Sequence, residues 1–111
     1  DQVGPVLRRL EAQGVGPVGL CIGATRHFRT LHMVASDPGG PGSGIGKLKP
    51  PVFGPRRDRL QRQASNWGMH KIERALTLLL DTDLTLRSTA TVPEMAVMER
   101  ALLRLAWMGR K

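Results

Sequence analysis

Apolar positions recur along this chain with the period of an α-helix, most regularly between Trp67 and Ser88. Ile72, Leu76, Leu79, Leu80 and Leu84 follow one another at offsets of four, seven, eight and twelve, which is one helical face, while Thr77, Asp81 and Thr85 lie towards the other side. A helix over 69–88 would be roughly 30 Å long, about the diameter of a small domain, so other helices must pack along it. Four more are predicted. Val3, Val6, Leu7 and Leu10 mark a short helix over 4–13, with Pro5 in its first turn and Gly14 as its stop. Pro17 opens a second over 17–35, with Cys21, Ala24, Phe28, Leu31 and Ala35 as its core stripe and a polar-edged face running from Ile22 through Thr25 and Arg29 to His32. Gly14-Val15-Gly16 would join these two into an αα-hairpin. Gly19 and Gly23, four apart, predict a second helix packed closely there, since each glycine otherwise costs up to ~1 kcal/mol against alanine. Leu60, Ala64 and Trp67 give a helix over 55–66 a narrow apolar edge, and Asn66-Trp67-Gly68 ends it. After a break at Thr89 to Val92, Pro93 opens a helix over 94–108, lined by Met95, Met98, Leu102, Leu105 and Ala106. The pattern therefore predicts an all-α fold, a single bundle of about five helices spanning residues 1–111.

Residues 36–54, rich in glycine and proline, break every periodicity and read as a long loop. Within it, GPGSGIGK imitates a phosphate-binding loop. That motif needs a first glycine five positions before Gly46 and a hydroxyl residue after Lys47; the chain has Pro41 and Leu48, and no strand precedes. Nucleotide binding is therefore not expected. The segment instead predicts a short helical turn around Ile45 to Leu48, with Pro50, Pro51 and Phe53 pinning its end.

Composition sharpens the picture in three ways. The 111 residues suffice for one core, and at 41% hydrophobic they belong to a folding sequence; with only 4% aromatics, Leu, Val, Ala and Met must fill that core. The net charge of +8, from 17 Lys and Arg against 9 Asp and Glu, favours an acidic partner, either nucleic acid or an acidic protein surface. Cys21 is the single cysteine, so no intrachain disulfide forms, and a reducing cytoplasmic setting is expected. No apolar run approaches the ~18 residues of a membrane span, so no membrane partner is expected. The opening at Asp1, close to a helix pattern and without a leader, suggests a fragment of a longer protein.

The candidate contact residues lie at two places. Arg56, Arg57, Arg59 and Arg62 crowd one helix, and two readings stand: a solvated basic face, or a patch facing phosphate or an acidic partner. Trp107 and Met108 exceed what one core stripe needs; they are either core or an exposed contact for another subunit. No catalytic, metal or cofactor site is predicted. His27, His32 and His70 have no metal-ligand spacing, so His70 is read as structural, and Asp81 and Asp83, two apart on a helix, face away from each other.

The order of segments is similar to a known family. FRTL (28–31), a Gly/Pro loop, PPVFGPRRDRLQRQASNW, IERALTLLLDTDLTLRS and MERALLRLA together resemble the C-terminal domain of the delta subunit of bacterial DNA polymerase III, the clamp-loader subunit that opens the sliding clamp. The Gln-Ala-x-x-Trp/Phe helix of that family is matched by Gln63-Ala64-Ser65-Asn66-Trp67, and its Leu-x-x-Asp-x-x-Leu-Lys pattern by Leu80, Asp83, Leu86 and Arg87, with arginine for the more usual lysine. The likeness covers about residues 3–106; the Gly/Pro insertion at 38–46 departs from the shorter loop of many relatives. The resemblance implies a collar-type helical domain following two AAA+-like domains in a longer parent chain. It implies assembly with the other clamp-loader subunits through the collar, contact with primer–template DNA, and contact with the sliding clamp only through the absent N-terminal part. It also implies no ATP hydrolysis and no enzyme activity in this segment, although the parent belongs to a DNA-directed DNA polymerase holoenzyme and so to DNA replication. A stand-alone basic helical nucleic-acid-binding module is the competing expectation.

Overall fold

The computed structural model describes residues 12–14, 16–49, 51–88, 91 and 93–110. Among these there are four helices and no strand: α1 (Pro17–Ala35), α2 (Pro41–Ile45), α3 (Pro55–Leu86) and α4 (Glu94–Gly109). The fold is all-helical. Most of the expected helix over 4–13, its hairpin with α1 and most of the break at Thr89 to Val92 lie outside the described residues. α1 begins and ends where proline and the polar run at Ser36 place its limits. The two helices predicted over 55–66 and 69–88 form one run, α3, interrupted at Gly68, whose φ of 75° and ψ of 155° are not helical. Only glycine adopts that conformation at low cost.

The chain forms two compact units, residues 1–25 with 77–111 and residues 26–76, and the boundary falls inside α1 and α3. In the first unit Leu20, Cys21, Leu79, Thr82, Leu86, Met98, Ala101 and Leu105 are buried. In the second, Phe28, Leu31, Val34, Ile45, Leu48, Leu60, Ala64, Ile72 and Ala75 are buried. Phe28 meets Trp67 edge-on, with ring centroids 4.9 Å apart, a favourable aromatic geometry.

The predicted core face of the central helix needs a correction. Ile72 and Leu79 are fully buried and Leu76 half-buried, but Leu80 and Leu84 are 58% and 59% exposed. The buried stripe is Ile72, Ala75, Leu79, Thr82 and Leu86; it shares Ile72 and Leu79 with the apolar face and is turned from it by roughly 80°, at about 100° per residue. Thr82 is tolerated inside because its hydroxyl donates to the Leu78 carbonyl at 2.8 Å, so no donor is left unsatisfied.

The loop also differs from expectation. Its helical turn lies earlier, at Pro41–Ile45, and only its last residue overlaps the predicted turn around Ile45 to Leu48. Phe53, expected to pin the loop end, is 75% exposed. The anchoring comes from Asp37, whose carboxylate accepts the Gly39 N–H at 2.9 Å and the Lys47 ammonium at 2.8 Å. Lys47, then the Gly39 N–H and Ser43, hold this carboxyl below its ordinary range. The stabilisation is present above the unfolded value of about 3.9 and is lost as pH falls through the lower folded value.

Gly23 does not mark a close helix contact: it is exposed, and a Cβ there meets nothing within 4 Å. Gly23→Ala should therefore stabilise the domain by up to ~1 kcal/mol, read as a higher urea midpoint. A lower midpoint would show that something packs there.

Candidate nucleic-acid and subunit interface

The basic cluster sits on the first half of α3, where Leu60 and Ala64 are buried and set the helix orientation. Arg56, Arg59 and Arg62 are exposed and Arg57 is half-buried. Across from this helix, His27 of α1 has its Nε2 3.1 Å from Gln63 Oε1. That hydrogen bond brings the α1 turn carrying the exposed Arg26 and Arg29 beside the arginine helix. Charge is sharply divided along the chain. Residues 26–76 hold ten Lys and Arg against three acids, a formal +7, while the rest of the chain carries +1. Of the three acids, Asp37 is engaged by Lys47 and Glu73 by His32 at 3.1 Å. A fold gains little from crowding like charges in this way, since exposed ion pairs contribute only ~0–1 kcal/mol.

Trp107 and Met108 end α4 in the other unit. Trp107 is 59% exposed and Met108 half-buried, which assigns the tryptophan to the surface rather than to the core. The same unit exposes Ile22, Leu80, Leu84 and Leu103, apolar residues that sequence periodicity does not mark as a surface. Leu80 and Leu84, and likewise Leu103 and Trp107, are four apart on their helices, so each pair shares a helix face.

Comparison with protein-family models, with curated proteins and with solved structures returns no match.

Cys21 is buried and its thiol donates to the Leu79 carbonyl at 3.5 Å; burial, then the Asp83 carboxylate, raises its pKa and keeps it a thiol. Asp83 accepts the Arg87 guanidinium at 2.9 Å one turn along α3. His70, read as structural from sequence, is exposed. Among the described residues no three His, Cys, Asp or Glu side chains gather as a metal site, and no helix is long and apolar enough to cross a membrane. Lys47 of the imitation phosphate loop is bound to Asp37, and Pro41 is the first residue of α2. ATP should show no saturable binding to the domain in equilibrium titration; binding that disappears in Lys47→Ala would overturn this.

Proposed function

We propose that this chain is the collar-type oligomerisation domain of a clamp-loader delta subunit, acting in DNA replication at a bacterial DNA polymerase III. The observation that carries this reading is the division of surface chemistry. One unit is nearly neutral and exposes Leu80, Leu84, Leu103 and Trp107, apolar surface of the kind that subunit contacts cover. The other carries a formal +7 and presents arginines on two helices, surface of the kind that a polyanion neutralises. The positions that resemble the family also have coherent local roles. Ala64 is buried and Trp67 meets Phe28; Leu86 is buried while Asp83 pairs with Arg87. The segment acts by assembly and contact, not by catalysis, and with no cofactor. Its sliding-clamp contact would be made by another part of a longer parent chain, in the cytoplasm. The same basic face favours a second reading, a stand-alone helical nucleic-acid-binding module.

Co-purification of the full-length parent with the other clamp-loader subunits tests the first reading. Arg56→Ala with Arg59→Ala, in that protein, tests the role of the basic face. Each phosphate that is no longer neutralised should lower the slope of log affinity against log salt by roughly 0.9 on duplex, so primed-DNA binding measured at two salt concentrations should flatten by up to about two units of slope. Failed assembly with unchanged DNA binding would place the arginines against acidic side chains of a neighbouring collar. Unchanged assembly and DNA binding with a sharp fall in melting temperature would make the cluster structural. DNA binding without co-purification would favour the stand-alone module.

A further inference from the structure

His27 is the titratable group built into the basic face. It is exposed on α1, its Nε2 is 3.1 Å from Gln63 Oε1 on α3, and its ring meets the Phe28 ring edge-on at 5.7 Å. Phe28 packs in turn on Trp67, so the imidazole is held in place by both helices. The charge bearing on the ring from α3 is Arg56, and its neighbour in sequence on α1 is Arg26; Gln63 and Phe28 bring no charge. We propose that His27 is a phosphate-contacting residue of this face, and that a nucleic-acid phosphate docking beside Arg56 is bound together with one proton taken from solvent onto the His27 ring. The inference rests on reading the face as a polyanion site.

The physics has two parts. In the free protein the packing around the ring, and after it the Arg56 guanidinium, keep the His27 pKa below the ordinary histidine value, against the opposing pull of the Gln63 hydrogen bond. Both effects favour the neutral ring in the free protein. A phosphodiester brings negative charge to the same place and offsets the Arg56 field, which favours the imidazolium and gives the phosphate a further charge-assisted donor. By linkage, a group whose pKa rises on binding makes affinity increase as pH falls between its bound and free values.

The test uses the full chain and fluorescent primed DNA, with affinity measured at about pH 8 and about pH 6 at constant salt. Affinity should rise by at most about tenfold for each unit by which binding raises the His27 pKa, and calorimetry in two buffers of different ionisation heat should register proton uptake. His27→Gln keeps an amide partner for Gln63; it should lose both the rise in affinity at lower pH and the proton uptake. The calorimetric measurement on the wild-type chain needs no variant, so it stands even if His27→Gln folds poorly. DNA binding with no proton uptake, or with the same pH profile in His27→Gln, overturns this inference and leaves the polyanion reading standing. Absence of salt-dependent binding at either pH overturns both.

Discussion

Replacing Leu79 by alanine should destabilise the protein by about 2–5 kcal/mol, whereas Leu80→Ala and Leu84→Ala should each stay within about 0.5 kcal/mol. All three are leucines on one helix, and a hydrophobic pattern alone ranks them equally. Leu79 is 0% exposed, so truncation removes buried methyl groups and leaves a cavity that its neighbours fill only in part. Leu80 and Leu84 already face solvent in the free chain and lose little on truncation. Urea denaturation of the three variants decides the matter. A Leu80→Ala cost equal to that of Leu79→Ala would show that the helix faces its core through the apolar stripe after all. If Leu80 and Leu84 lie in a subunit contact, as proposed, their truncation should instead weaken assembly.

Gly44→Ala should cost about 3 kcal/mol or more, at the upper end of overpacking substitutions. Intrinsic propensity predicts the reverse: Gly44 sits in helix α2 with no positive φ, where alanine is favoured by up to ~1 kcal/mol. Packing decides the sign. A Cβ at Gly44 would run into the Val34 carbonyl oxygen and would lie 2.9 Å from its carbon and Cα, all of them backbone atoms of α1 that cannot swing aside. The adjacent Ile45 and the nearby Leu48 are buried, so lifting α2 off α1 would also expose them. Gly42→Ala is the matched control. Its Cβ would meet only the end of the Gln61 side chain, at 3.4 Å, and the change should be neutral or slightly stabilising. Thermal melts of both variants give the comparison; equal midpoints would mean that α2 does not dock through Gly44.

How much of this is legible in the sequence follows from the kind of signal each feature leaves. Where proline and glycine punctuate the chain, the limits of α1, the start of α3 and its break at Gly68 can be read directly, because these residues act through their own backbone geometry. The arginine cluster is equally plain, since four cations in seven residues need no fold to be noticed. The docking of the Gly/Pro segment is not legible. Asp37 and Lys47 are ten apart, Gly44 and Val34 also ten, and no local periodicity links them. The His27–Gln63 contact, between residues 36 apart, is hidden for the same reason.

The sequence by itself determined that this protein is helical, where most of its helices begin and end, that its loop lacks the phosphate-binding motif, and that its positive charge is concentrated between residues 26 and 76. These are properties of short stretches, set by backbone preference, side-chain period and composition. Only the tertiary structure decided which side of the central helix is inside, and it chose the stripe through Ala75 and Thr82 over the richer one through Leu80 and Leu84. The physical reason is that burial is a property of what comes to lie against a residue. Where a helix carries more leucine than one face can hide, hydrophobicity leaves two faces open. The choice then falls to the elements packed against it, and the remaining leucines are left on the surface.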